Sequence, residues 1–339
     1  ITARAALNHP FFFVSNNKSH KKPGSKLMKY TLSPAKEKED AVTLPVTATS
    51  TTSLSSIIRT SSRQLHCNTI SLVQHLKSKE TKWSSRYRNS RHSNSLRNKH
   101  SFVLRDDQWA CIVDWMTEIV DVFEKSPRTT FLAMDYFDRF VRSVHQKIKS
   151  RKYQLVAAAC LHIASKCQDE TDIGITDLVF CADNTYTDAE VTALEHIILR
   201  QGLNFYELSP PLIYDYICLF IECVPELRNN SKAAWLAKYF SELALQAGST
   251  VCFNYPPSMV AASSTCLALH SISSLVDMDA SNVYPAALEK VCGYKRHDLD
   301  ECITAICVSI EYVRTSLPAL KMIMKRYKKK EKERVSDLP

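Results

Sequence analysis

Few residues in this chain of 339 are spaced for chemistry. Asp169, Glu170 and Asp172 form a compact acidic group. Such carboxylates could hold a divalent metal in a helical enzyme of the isoprenoid kind. They do not spell D-D-x-x-D, and such an enzyme would need a second acidic motif facing the same cavity. The twelve cysteines contain no C-x-x-C, which removes the usual zinc and redox spacings. Their scatter reads as small, reduced, mostly buried side chains of an intracellular protein. The five glycines, at 24, 174, 202, 248 and 293, lie at least 28 residues apart. A P-loop, a G-x-G-x-x-G turn and a G-x-S-x-G elbow are therefore excluded. No catalytic residue, metal or cofactor is expected.

Charge gives weaker signals. Ser33-Pro34-Ala35-Lys36 fits a proline-directed phosphorylation pattern, with an ordinary turn as the plain alternative. Arg4-Ala5-Ala6-Leu7 carries the R-x-x-L core of a degradation signal, a pattern common by chance. The run Lys325 to Lys330 reads as a nuclear-localisation or anion-binding patch, or as a solvated charge run. The net charge is +9, but residues 105–320 carry a balance of −10 and both ends are basic. An acidic centre argues against direct nucleic-acid binding and suits a basic protein partner. Asp114 and Arg139 lie on otherwise apolar helix faces, where a charge needs a partner. They are expected to pair with each other, in a structural role.

Helices must position whatever site exists. Low glycine with 45% hydrophobic residues points to an all-α chain with a sizeable core. Residues 1–104 hold 28 Ser/Thr and few large apolar side chains, so a disordered basic arm is expected there. The apolar runs are too short to span a membrane. Phe11 to Val14 is too short for a signal core. The chain opens on Ile1, which reads as a fragment or a processed product.

Helical periodicity begins at residue 104. Expected helices cover 105–124, a segment opened by the cap Ser126-Pro127, 151–168, 176–182, and one opened by the capping box Thr187-Asp188-Ala189-Glu190. The segment 151–168 is apolar nearly all round and should be the buried centre of a bundle. Gly202, Gly248 and Gly293 fall at expected helix ends, where a left-handed residue is wanted. Further helices are expected at 210–224, 231–247, 256–273, 283–292 and 297–316. A shift of 104 residues lays Phe131-Leu132-Ala133 on Trp235-Leu236-Ala237 and Val156-Ala157-Ala158 on Val260-Ala261-Ala262. This predicts two tandem five-helix units, 105–207 and 208–317, with a basic tail over 318–339.

Three stretches then carry a resemblance. Cys111-Ile112-Val113-Asp114-Trp115-Met116 with Glu118, Asp135-Tyr136-Phe137-Asp138-Arg139-Phe140, and Leu161-His162-Ile163-Ala164-Ser165-Lys166 look like the cyclin box. Asn184-Thr185-Tyr186-Thr187 and Leu194-Glu195-His196 continue it. The chain resembles cyclins of the A, B and E types, with E or B as the expected subtype. The resemblance implies a regulatory subunit of nucleus and cytoplasm that binds and activates a cyclin-dependent protein kinase and has no catalysis of its own. In that family a Lys ending the third helix and a Glu in the fifth clamp the kinase's αC region. Lys166 and Glu195 occupy those places. Ile163, Leu199 and Phe205 would form an apolar seat beside them. Cys167 stands where the family carries an aromatic. The plain reading of Lys166 is a helix-terminal cation facing the dipole.

The resemblance also implies a patch that recruits proteins with Arg-x-Leu motifs. It would comprise Gln108, Cys111, Ile112, Trp115, Glu118, Tyr153 and Gln154. Gln108-Trp109-Ala110-Cys111-Ile112 departs from the family's Met-Arg-Ala-Ile-Leu, and Tyr153 replaces a usual Leu. The alternative reading is a cyclin-fold transcription factor or adaptor without kinase activation.

Overall fold

Segment starts are set by capping chemistry, and segment faces by apolar spacing. The computed structural model describes residues 69–82, 104–144, 148–205, 208–252, 254–276 and 284–337. Ser33 and Arg4 to Leu7 lie outside them. Among the described residues there is no strand. Helix α1 covers 69–82. The first unit contains α2 (Asp106–Val122), α3 (Pro127–Ser143), α4 (Tyr153–Gln168), α5 (Ile175–Cys181) and α6 (Asp188–Ile197). The second contains α7 (Ile213–Cys223), α8 (Ser231–Gln246), α9 (Pro257–Val276), α10 (Ala286–Cys292) and α11 (Asp300–Ser316). Helix α12 (Met322–Tyr327) follows.

The caps act as expected. The hydroxyl of Ser126 accepts from the Arg128 amide, with Pro127 at the first helical position. Thr187 and Glu190 form a reciprocal capping box. Helix α4 is buried from Tyr153 through Ser165 and packs against α2, α3, α5 and α6. Helix α9 packs likewise against α7, α8, α10 and α11. The repeat register is visible in the bounds: α3 and α8 start 104 residues apart, as do α4 and α9.

Three expectations change. The arm is not devoid of structure, because α1 lies inside it. Val73 is fully buried, Ile70 and Leu76 pack against the core, and Glu80 is 5% exposed. These apolar residues recur every three positions, a helical stripe that the Ser/Thr-rich average concealed. The tail is not simply a solvated run. Leu320, Ile323, Arg326, Tyr327 and Val335 are buried, while Lys328, Lys329 and Lys330 are exposed. Gly202 is not left-handed, whereas Gly248 and Gly293 are, at φ +86° and +70°. A Cβ on Gly202 would lie 3.1 Å from the Phe140 backbone, so close approach is its reason for being glycine.

Candidate functional site

The C-terminal end of α4 and the middle of α6 meet at the surface. Thr187 starts α6 by accepting from the Glu190 amide at 3.2 Å, and its own amide donates to Glu190 Oε2 at 3.0 Å. Those hydrogen bonds hold the Glu190 carboxyl below the usual carboxylate range. Two turns on, Glu195 is turned inward and is only 7% exposed. Lys166 lies in the last turn of α4, where the helix dipole favours a cation. Its Nζ donates to Glu195 Oε1 at 2.5 Å across 29 residues of sequence. The Lys166 side chain remains 44% exposed, so its ammonium faces both the carboxylate and solvent.

His162 is one turn behind Lys166 on the same face of α4. Its Nδ1 bonds the Ile173 carbonyl at 2.8 Å, and its Nε2 lies 3.8 Å from Glu195 Oε2. The sequence motif had it only as part of the Leu161 to Lys166 stretch. The signal that could have singled it out is its spacing of four from Lys166.

The expected apolar seat is divided. Ile163 is 2% exposed and belongs to the core, because it lies on the inward face of the all-apolar α4. Leu199 is half-buried, one turn beyond Glu195, and Phe205 is 54% exposed. The Phe205 amide donates to the Leu199 carbonyl at 3.0 Å, which brings these two together. Cys167 is exposed beside Lys166. Of the four, Cys167, Leu199 and Phe205 are at least partly exposed and Ile163 is not.

The residues of the expected docking patch are mostly buried. Ile112, Trp115, Glu118, Tyr153 and Gln154 are all buried, and Gln108 and Cys111 are half-buried. Tyr153 brings a ring where a Leu was expected, and this ring packs edge-on to Phe137 at 6.3 Å. Burial pushes its phenol up to about 12.

Asp114 and Arg139, expected to serve a structural role, are both buried and both engaged. Arg139 Nε lies 2.9 Å from Asp135 Oδ2. Asp114 Oδ1 accepts from Gln246 Nε2 at 3.1 Å and from the Met322 amide at 3.0 Å. Asp114 thus joins α2 to α8 and to the start of α12. The acidic group at 169–172 is also engaged structurally: Asp169 accepts from the Thr129 hydroxyl at 2.9 Å. Among the described residues no group of three or more His, Cys, Asp or Glu is arranged to hold a metal ion. None of their helices is long and apolar enough to cross a membrane.

Comparison with known proteins agrees with this architecture. Residues 72–206 match the family described as "Cyclin, N-terminal domain", and residues 211–339 match "Cyclin, C-terminal domain". The chain is 32% identical over 197 residues to the G2/mitotic-specific cyclin-A of Hydra viridissima, covering 58% of this chain and 44% of that one. It is 34% identical over 194 residues to the G2/mitotic-specific cyclin C13-1 of Daucus carota, covering 57% and 53%. The chain thus spans about half the length of these curated relatives. A viral cyclin from herpesvirus saimiri has the same fold, with a TM-score of 0.50 at 16% identity over 66% of this chain and 96% of that one. The curated matches are A-type, which corrects the expected E or B subtype. With the two halves matched in order by the two domains of one family, the chain belongs to the cyclins.

Proposed function

We propose that this chain is a regulatory subunit that binds and activates a cyclin-dependent Ser/Thr protein kinase, with Lys166 and Glu195 as the contact that holds the kinase's αC helix inward. The observation that carries the reading is the Lys166–Glu195 pair, 2.5 Å apart at the junction of α4 and α6. One member is buried and fixed, and the other is exposed and free to be shared. Cys167, Leu199 and Phe205 supply apolar surface beside it. Kinase catalysis needs the αC glutamate turned in toward the ATP-binding lysine. A partner that binds that inward state more tightly raises its population. The curated relatives are G2/mitotic-specific cyclins, so the work proposed is control of cell-cycle progression. The exposed Lys328, Lys329 and Lys330 suit nuclear import, and we place the protein in nucleus and cytoplasm.

Arg-x-Leu recruitment is left out of the proposal. The test is co-purification of the full chain with candidate kinases, followed by histone phosphorylation. Lys166→Ala combined with Glu195→Ala is expected to leave helicity intact and to lower activation at least tenfold. Normal activation by the double variant would remove the clamp assignment. Kinase capture by the unmodified chain without increased phosphorylation would mark an adaptor instead.

A further inference from the structure

His162 is 5% exposed, and each ring nitrogen faces a defined oxygen. The Ile173 carbonyl can only accept, so Nδ1, 2.8 Å away, carries a proton. The same loop residue is held from its other side: its amide donates to Ser165 Oγ at 3.0 Å, and Ser165 Oγ donates to the His162 carbonyl at 2.9 Å. Ile173 is fully buried. The ring is therefore fixed, and Nε2 is left 3.8 Å from Glu195 Oε2. In a neutral ring Nε2 would present a lone pair to a carboxylate, which is unfavourable. Only the imidazolium attracts Glu195 from this position.

Two carboxylates face the ring. Glu195 faces it from α6, and Asp172 Oδ2 lies 3.9 Å from Nδ1 on the loop after α4. Lys166, on its own helix, opposes them by holding Glu195 Oε1. Helix α3 packs on another side of α4, where Asp135 and Arg139 act on Cys160. Each oxygen of Glu195 thus has its own nitrogen: Lys166 at one and His162 at the other.

We infer that His162 is a positioning residue of the clamp, which takes up a proton to hold Glu195 when Lys166 turns to an acceptor on the partner. This deepens the function proposed above and rests on it for the partner. The physical need is specific. Glu195 is buried, and a buried carboxylate stripped of its cation is strongly destabilising. A second cation at Oε2 removes that cost, so Lys166 can be shared without stranding the carboxylate. Partner binding then draws in a proton, and affinity rises as pH falls.

The test is a histidine NMR titration of the full chain alone, with His162 assigned by its loss in His162→Asn. Glu195→Gln is expected to lower the proton affinity of His162 about threefold or more, and Lys166→Met to raise it. An unchanged midpoint in both variants overturns the inference. No kinase is present, so this result is separable from failure of the proposed function. A second arm measures kinase affinity between pH 6 and pH 8. His162→Asn keeps an N–H within reach of the Ile173 carbonyl but cannot be charged. The unmodified chain should bind more tightly at the lower pH, and His162→Asn should show a flat profile. Equal slopes in the two proteins would overturn the coupling to binding.

Discussion

Gly202 sits where a side chain would strike the backbone and ring of Phe140, at 3.1 to 3.3 Å. Helix α3 cannot yield locally, because Phe137 and Phe140 are both buried in the core. Gly202→Ala should therefore act as overpacking and destabilise by about 1–3 kcal/mol, read as a shift in urea midpoint. Gly174 is the control. Its added Cβ meets only the carboxylate end of Asp177, which can rotate away. Gly174→Ala should shift the midpoint far less. Sequence placed Gly202 correctly at a helix end, where the π-helical turn Ile198–Gly202 that continues α6 stops, but for the wrong reason. Spacing marks where a helix stops, whereas a close approach 62 residues away in sequence depends on packing. The same limit applies to Trp115 and Tyr153. Their types suit an exposed groove or a core equally well, and only the neighbouring helices decide. The pairing of Lys166 with Glu195 was legible through the family pattern, which fixes both residue types and their separation of 29.

Helix α1 shows the same distinction for a whole element. Tyr216 donates to Glu80 Oε2 at 2.7 Å, and the Ser258 hydroxyl reaches Glu80 Oε1 at 3.1 Å. Lys77 Nζ donates to the Cys292 carbonyl at 2.5 Å and lies 4.2 Å above the Tyr294 ring. These partners sit on or beside α7, α9 and α10, so α1 docks on the second unit although it precedes the first. Burial of Tyr216, and next the charge and hydrogen bond of the Glu80 carboxylate, push its phenol far above the ordinary range. A chain trimmed to begin at residue 104, where helical texture starts in the sequence, would lose these contacts. It would leave Tyr216 buried without its acceptor. Compared with a chain beginning at residue 68, it should be less stable by several kcal/mol, from one buried Val side chain and three or more hydrogen bonds. Equal thermal midpoints would show that α1 contributes nothing to the fold. The repeat itself was legible because α3, α4, α8 and α9 are long and strongly periodic. Helix α1 was not, because its stripe of Ile70, Val73 and Leu76 is short and set in a polar segment.

At the scale of the molecule, the two units are joined by polar contacts that the sequence pattern gave no means to foresee. Trp109 Nε1 donates to the Leu245 carbonyl at 2.8 Å, and Arg128 Nε meets Asp215 Oδ1 at 2.5 Å. Gly248 lies beside this junction in a left-handed turn, where a Cβ would approach Asp106 at 3.0 Å and Trp109 at 3.3 Å. The strongest tie is Arg326 on α12, which is 1% exposed. Its Nε reaches Asp121 of the first unit at 2.8 Å, and its Nη1 reaches Glu242 of the second at 2.5 Å. Its Nη2 donates to the Thr117 carbonyl at 3.3 Å, and the Tyr327 hydroxyl donates to the other Glu242 oxygen at 2.7 Å. The nearby carboxylates outweigh desolvation and raise the Arg326 guanidinium above its ordinary range. Arg326 therefore stays charged through the whole working pH range, and the tie does not titrate there. Removing the cation is another matter. Arg326→Ala would leave Glu242, 3% exposed, as a buried charge that keeps the Tyr327 hydroxyl but loses its guanidinium. Breaking a buried pair in this way costs about 3–5 kcal/mol, more than a surface ion pair returns. The cost should fall when the orphaned charge is removed as well, so adding Glu242→Gln to Arg326→Ala should recover part of the loss. Urea unfolding of the two variants decides between a tie that matters through charge and one that matters through volume. Equal losses in both would assign the stabilisation to packing of the Arg326 side chain rather than to its pairing across the two units.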